Sequence, residues 1–157
     1  MGEVLTVEEA LARVPLLSRL SERQRERLAS RVTTRSYGEG AVVVRQGDTS
    51  MSFYVVLSGR VRIDHEAEAR AGSVEVAGVG PGGAFGEMGL IDDMPRAATV
   101  TAVEPTECAL LARWDFQNEL RDDPEIALAL LPVLNATIRD LDARLARLQT
   151  ASGGAVS

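Results

Sequence analysis

The sequence of 157 residues is most informative in the residue types that it lacks. It has no lysine, so all 17 basic residues are arginine, and it has a single histidine, His65, and a single cysteine, Cys108. Without lysine, a Schiff-base enzyme and a P-loop of the usual type are excluded. One histidine and one cysteine cannot form a Cys/His zinc site, and a lone cysteine forms no intramolecular disulfide. We therefore expect no catalytic residue, no metal and no cofactor.

Aromatic residues and positive charge are also scarce. Aromatics make up 4% of the sequence and all hydrophobic residues 45%, so the core must consist of valine, leucine, isoleucine and alanine. The formal net charge of −6 disfavours direct nucleic-acid binding, which needs a basic surface. The sequence shows neither a targeting segment nor an apolar run long enough for a bilayer, which predicts a cytoplasmic protein without a membrane partner.

The N-terminal segment reads as helical. Thr6 with Glu9, and Ser21 with Gln24, match the capping box that begins a helix. The second of these helices is rich in arginine. We expect this to be a solvated face, and a basic face that meets a partner is the alternative.

The centre of the chain has a different texture, with short valine-rich runs separated by glycine. This spacing predicts an antiparallel all-β unit, a roll or jelly-roll barrel, and hence a mainly β fold with flanking helices. Residues 64–73 are polar and predict a hairpin tip that carries an exposed His65. The predicted single domain spans residues 1–150, with N-terminal helices at 5–35, the β-roll at 36–113, C-terminal helices at 114–149 and a flexible tail at 151–157.

The C-terminal segment returns to helical periodicity. Asp115 is a plausible N-cap for a short helix over 116–121, and Asp123-Pro124 begins a long helix. Pro132 should kink that helix or remove one backbone hydrogen bond. A stripe of apolar residues recurs at spacings of three and four: Leu131, Leu134, Ile138, Leu141, Leu145 and Leu148. This stripe either packs on the β unit or forms the seam of a parallel homodimer.

The residues that carry chemistry lie in the segment from Phe85 to Val100. A glycine-rich turn leads into Phe85-Gly86-Glu87, which begins one predicted helical turn, and a strand is predicted from Pro95-Arg96. Arginine has a planar fork of donors matched to phosphate, and a helix start offers backbone N–H groups to an anion. Glu87 can accept hydrogen bonds from sugar hydroxyls. These features predict a phosphosugar site, and a structural salt bridge between Glu87 and Arg96 is the alternative.

This segment resembles the phosphate-binding cassette of cyclic nucleotide-binding domains, with F-G-E-x-G-L, a short connector and P-R-A-A-T-V. The runs Val43 to Asp48 and Phe53 to Gly59 resemble that family's second and third strands, and the flanking helices are similar too. The resemblance covers about residues 11–148. It implies that Arg96 binds the phosphate oxygens, that Glu87 binds the ribose 2′-hydroxyl, and that the amides of Gly86, Ala97 and Ala98 complete the cradle.

The resemblance favours cAMP over cGMP, because cGMP-selective members often have Thr or Ser where this chain has Ala97. The usual adenine contact, a Thr-Ser pair, corresponds here to Leu141-Asp142. The candidate base or pocket contacts are therefore Phe85, Leu90, Asn135, Thr137 and Leu141, of which Leu90 is equally a packing residue.

We therefore predict a non-catalytic cyclic nucleotide sensor whose C-terminal helices switch on binding and which forms a homodimer through its long helix, with room for an unknown protein partner. The alternatives are a degenerate β-roll that serves as a dimerisation or interaction scaffold, the excised sensor of a transcription regulator, and a small cupin-like catalyst. The last is disfavoured because cupins hold metal through several histidines. The family's helix-turn-helix would begin about where this chain stops, so we expect a sensor without an attached output.

Overall fold

The computed structural model describes residues 2–66, 73–92 and 94–153, which form two four-stranded antiparallel sheets, with helices from both ends of the chain packed together against one of them. The helices are α1 (Val7–Ala12), α2 (Glu22–Ala29), α3 (Arg113–Asp122) and α4 (Glu125–Gly153), with short 3₁₀ helices at Pro15–Leu17 and Glu87–Leu90. The strands are β1 (Thr33–Tyr37), β2 (Val42–Val44), β3 (Ser52–Ser58), β4 (Val61–Glu66), β5 (Ser73–Val79), β6 (Ala84–Phe85), β7 (Thr99–Ala102) and β8 (Thr106–Ala112). Within the described ranges, no helix is long and apolar enough to cross a membrane.

The sheets have the strand orders β1-β8-β3-β6 and β2-β7-β4-β5. This confirms the predicted mainly β roll with flanking helices. One detail was wrong, because the two sheets do not close into a barrel. Two of the four edge strands, β2 and β6, have only three and two residues, so each exposes few unpaired backbone groups.

The first sheet separates two apolar cores. Successive side chains of a strand point to opposite faces, so Phe53 and Val55 of β3 face the helices whereas Tyr54 and Val56 face the second sheet. We call the core between the first sheet and the helices the helix-side core, and the core between the sheets the roll interior. The buried members of the roll interior are Tyr54, Val56, Val61, Phe85, Val100, Cys108 and Leu110. The cassette therefore begins directly after β6, whose Phe85 lines this interior.

Both predicted capping boxes are present, with the side chains of Thr6 and Ser21 each accepting from a backbone N–H three residues later. The N-terminal helical segment nevertheless ends earlier than predicted. Residues 33–37 form β1, which pairs with β8, instead of continuing a helix to residue 35. Val32, Thr33 and Thr34 are β-branched and fit a pleated strand, and the helical reading overlooked this run.

Two arginines of this region, Arg27 in α2 and Arg31 just after its end, meet acids of this same chain, so for these two the expectation of a solvated face was wrong. Arg23 and Arg35 are exposed, as expected. Arg31 donates from Nε to Glu119 Oε1 at 2.8 Å, and Arg27 donates to Asp123. The Glu119 side chain is only 7% exposed and also lies 3.4 Å from Arg27 Nε. Asp115 is not the N-cap of α3, which begins at Arg113 after Ala112; its carboxylate lies 3.5 Å from Arg31 Nη1.

Helix α4 begins as predicted, with Asp123 Oδ1 accepting from the amide of Glu125 at 3.2 Å, and it continues through Pro132. Only Leu134 of the apolar stripe packs partly against the helix-side core. The other stripe residues are more than half exposed: Leu131, Ile138, Leu141, Leu145 and Leu148. The stripe therefore does not pack on the β unit of its own chain.

Two predicted segments extend beyond the described residues. His65 is exposed, as expected, but it lies within β4, opposite Val74 of β5. The strands of this hairpin are longer than the sequence predicted, and residues 67–72 of the predicted tip are outside the described residues. Of the predicted tail, residues 151–153 belong to α4, and residues 154–157 are also outside the described residues.

Candidate functional site

The cassette segment connects β6 to β7 along one rim of the roll. It contains Gly86 with a φ of +77°, then the predicted helical turn, which is the 3₁₀ helix Glu87–Leu90. The predicted strand start was wrong, because β7 begins only at Thr99. Arg96 instead exchanges backbone hydrogen bonds with the turn after β2: its N–H donates to Asp48 O at 2.8 Å, and Gly47 N donates to its carbonyl at 2.9 Å.

The Arg96 guanidinium is buried, and only 8% of the residue is exposed. Its Nη2 donates to the carbonyl of Ser52 at 2.5 Å, and its Cζ lies 5.3 Å from the ring centroid of Tyr54. Burial lowers the pKa of this guanidinium from its ordinary value, but arginine stays protonated in proteins. The buried Nη1 has no hydrogen-bond partner among the described residues. Such an unsatisfied charged donor is costly, so it favours an acceptor from outside the chain.

The Glu87 carboxyl is half-buried at the start of the 3₁₀ helix, and burial raises its pKa. In the described part of the chain it makes no ion pair or hydrogen bond, and in particular no contact with Arg96. The structural salt bridge was therefore the wrong interpretation. The Glu87 carboxyl and the Arg96 Nη1 therefore keep their hydrogen-bonding capacity for another molecule.

Three backbone amides of the cassette segment also have no acceptor among the described residues. The N–H groups of Gly86, Ala97 and Ala98 donate to no acceptor within the described ranges. Gly86 is in contact with the guanidinium, because a Cβ there would lie 2.0 Å from Arg96 Nη1. Successive free N–H groups such as those of Ala97 and Ala98 are the donors that anion-binding concavities use, and Glu87 adds an acceptor in the same segment. The arrangement suits an anionic group attached to a hydroxyl-bearing one.

The structure does not bring the predicted pocket residues together into one site. Phe85 is buried with its ring stacked on Tyr54, and Leu90 is 1% exposed in the helix-side core, where it packs. Asn135, Thr137 and Leu141 are exposed on α4, where the Thr137 hydroxyl donates to Val133 O at 3.1 Å. Sequence reasoning missed Ser52 and Tyr54, which contact Arg96. No local pattern indicates these contacts, since they join distant parts of the chain.

The family model described as a cyclic nucleotide-binding domain matches residues 34–123, which contain the whole cassette. The chain belongs to the cyclic nucleotide-binding domain family. This family is a regulatory, non-catalytic domain, in agreement with the prediction that the chain is not an enzyme.

Individual relatives support the same family assignment. The chain is 36% identical over 113 residues to a cAMP-dependent protein kinase regulatory subunit of Dictyostelium discoideum, covering 71% of this chain and 35% of that protein. It is 35% identical over 133 residues to a cyclic AMP receptor protein of Thermus thermophilus, covering 83% and 60%. The N-terminal domain of a transcriptional regulator from Streptomyces coelicolor superposes with a TM-score of 0.78 at 30% identity, covering 85% of this chain and 95% of that one. The chain therefore spans less than two thirds of either curated relative.

Gly86→Ala should destabilise the cassette, because a Cβ there meets Arg96 Nη1 and the positive φ disfavours any L side chain. We expect a loss of about 1–2 kcal/mol in the free energy of unfolding, measured by urea denaturation. Gly38→Ala is the control, since a Cβ there has open space. Equal stability of the two variants would contradict the close packing of Arg96 on Gly86.

Proposed function

We propose that this domain binds cAMP in the cassette and that binding repositions α3 and α4. The observation that carries the proposal is the buried Arg96 Nη1, which has no acceptor among the described residues and lies beside Gly86. Membership of the family narrows the ligand to a cyclic nucleotide. The names of the two curated relatives, a cAMP-dependent kinase subunit and a cyclic AMP receptor, favour the adenine nucleotide.

The cyclic phosphate is the part of the ligand that the cassette is best equipped to hold. Its two exocyclic oxygens accept from Arg96 Nη1 and from the free amides of Gly86, Ala97 and Ala98. A guanidinium and backbone amides in a site screened from water bind a phosphate more strongly than exposed groups do. The domain's net charge of −6 does not attract an anion from a distance, so the affinity must come from this local donor set.

The ribose is the natural partner of Glu87. Burial without a donor disfavours the charged carboxylate, and this is why its pKa is raised. A 2′-hydroxyl that donates to the carboxylate would offset this cost. The contacts of the base are less defined, because Phe85 and Leu90 are buried in different cores and Asn135, Thr137 and Leu141 are exposed on α4. Ala97 provides no hydroxyl for a guanine.

The switch has a physical connection in Arg113, the first residue of α3. Its Nη1 lies 3.2 Å from the carbonyl of Asp92 in the cassette connector and 3.3 Å from that of Ser50, and its amide donates to Met51 O at 2.9 Å. A ligand that orders the cassette would therefore act directly on the start of α3. Such a ligand shifts the helices only if it binds one of their arrangements more tightly than the other.

The long helix supports the proposal of a homodimer. Four stripe residues from Ile138 onwards are each more than half exposed, and their spacing of three and four places them on one face of α4. A second copy of the same helix would cover an apolar face that this chain leaves in water. The acid–base pair of Asp140 and Arg144, 3.0 Å apart, lies outside the stripe and would remain solvated.

Arg96→Ala should weaken cAMP binding by at least about tenfold, because a charge-assisted hydrogen bond contributes roughly 1.5–3 kcal/mol. Titration calorimetry against cAMP, cGMP and cyclic dinucleotides measures this and identifies the ligand. Arg144→Ala, which removes an exposed arginine on α4, should bind like the parent. If Arg96→Ala binds cAMP as tightly as the parent, Arg96 does not bind the phosphate. If the parent binds no cyclic nucleotide, the scaffold alternative is favoured.

Glu87→Ala should weaken binding of cAMP by about tenfold and leave the weaker binding of 2′-deoxy-cAMP nearly unchanged, since only the former has the hydroxyl. Competition titrations with the two nucleotides measure the ratio. Glu104→Ala removes an exposed carboxylate away from the cassette and serves as the control. Equal losses for both nucleotides would show that Glu87 does not bind the ribose.

Leu145→Glu should convert the proposed dimer into a monomer, because it places a charge in the apolar seam. Light scattering should report twice the 16.8 kDa chain mass for the parent and once that mass for the variant. Gln149→Glu makes the same charge change beside the stripe and should stay dimeric. A monomeric parent, or a dimeric Leu145→Glu, would refute assembly through α4.

A further inference from the structure

The Arg96 guanidinium lies against a pair of aromatic rings. Tyr54 of β3 and Phe85 of β6 are cross-strand neighbours, and their rings are stacked with centroids 4.9 Å apart and planes 8° from parallel. The Arg96 Cζ atom lies 5.3 Å from the Tyr54 centroid, within the range of a cation–π contact. Stacking on Phe85 restrains the Tyr54 ring, so the guanidinium meets an ordered aromatic surface.

Strand β3 holds the guanidinium at two points. Ser52 accepts from Nη2 through its carbonyl, and Tyr54, two residues later, contributes its ring. The other terminal nitrogen, Nη1, lies beside Gly86, where it is buried without a hydrogen-bond partner among the described residues. The contacts therefore use one side of the guanidinium and leave the other for an acceptor.

This arrangement has a consequence for affinity. A free arginine side chain has many rotamers, and ordering it at the moment of binding weakens affinity. Burial also disfavours its charge, and the electron-rich face of an aromatic ring offsets part of that cost. A ring beneath Arg96 thus keeps a charged, ordered donor in a place that would otherwise reject it.

We propose that Tyr54 is a positioning residue, which holds the Arg96 guanidinium in its phosphate-binding orientation before the ligand arrives. The inference rests on the proposed function, since Arg96 is there the phosphate ligand. Tyr54 itself touches no part of the nucleotide in this scheme; it acts through Arg96 alone. The hydroxyl of Tyr54 is not required, only its ring.

The first test uses the ligand-free protein. The ring current of Tyr54 should shift the side-chain NMR signals of Arg96 upfield, and these signals are identified by their loss in Arg96→Ala. Tyr54→Phe should keep the shift, and Tyr54→Leu should abolish it. An unchanged shift in Tyr54→Leu overturns the proposal, whether or not any nucleotide binds. A parent that shows the shift but does not bind cAMP instead counts against the proposed function.

The second test measures affinity with cAMP as the probe, by titration calorimetry. Tyr54→Phe should bind within about twofold of the parent, and Tyr54→Leu should lose about three- to tenfold, the cost of ordering one long side chain. In the Arg96→Ala background, Tyr54→Leu should cause no further loss. Tyr37→Leu, which removes a ring at the border of the same core, is the matched control and should bind like the parent.

Two outcomes of these titrations overturn the proposal. An equal loss from Tyr54→Leu in both backgrounds would mean that the ring does not act through Arg96. An equal loss from Tyr37→Leu would mean that the effect is general packing of the roll interior. If Tyr54→Leu does not fold, phenylalanines of increasing fluorination at position 54 keep the shape and weaken the ring's negative face. Affinity should then fall stepwise with fluorination, and a flat series overturns the proposal.

Discussion

The burial of one positive charge is the constraint on which the rest of this structure depends. The Arg96 guanidinium lies at the rim of the roll, and its burial disfavours the charge. Three separate segments contact this residue: the turn after β2 bonds its backbone, β3 holds the guanidinium with a carbonyl and a ring, and Gly86 lies close to Nη1. These segments are far apart in the sequence, and together their contacts require both sheets to be folded. The site therefore forms only with the whole β-roll.

The sequence contains no lysine, so its long cationic side chains are all arginines. A guanidinium can bind several acceptors in fixed directions, whereas an ammonium group is a single point charge. Arg113 joins the cassette connector to α3 in this way, and Arg31, just after α2, donates to Glu119 of α3. The cassette, α3 and the N-terminal segment are thus connected through directional hydrogen bonds. In the proposed switch, a displacement of the cassette would reach the helices through these contacts.

Much of this could be predicted from local patterns. The capping boxes, the mainly β roll, the helical turn at Glu87 and the start of α4 depend on residues close in sequence, and all were found as expected. The errors have more than one cause. Asp115 was taken as an N-cap and the face of Arg27 and Arg31 as solvated, because their partners lie in distant segments. Strand β1 was taken as helix because a local run of β-branched residues was overlooked, and this run favours the strand that pairs with β8.

The sequence by itself determined the chemistry that is available: arginine as the only long cationic side chain, Glu87 and Arg96 in one short segment, and an a/d stripe on the last helix. Only the tertiary structure decided how these groups are used. It separated Glu87 from Arg96, left Nη1 buried without a protein acceptor among the described residues, and placed Tyr54 beneath the guanidinium. The physical reason is that residue type and spacing set what a group can bind, whereas burial and unmet hydrogen bonds depend on neighbours that only folding brings close.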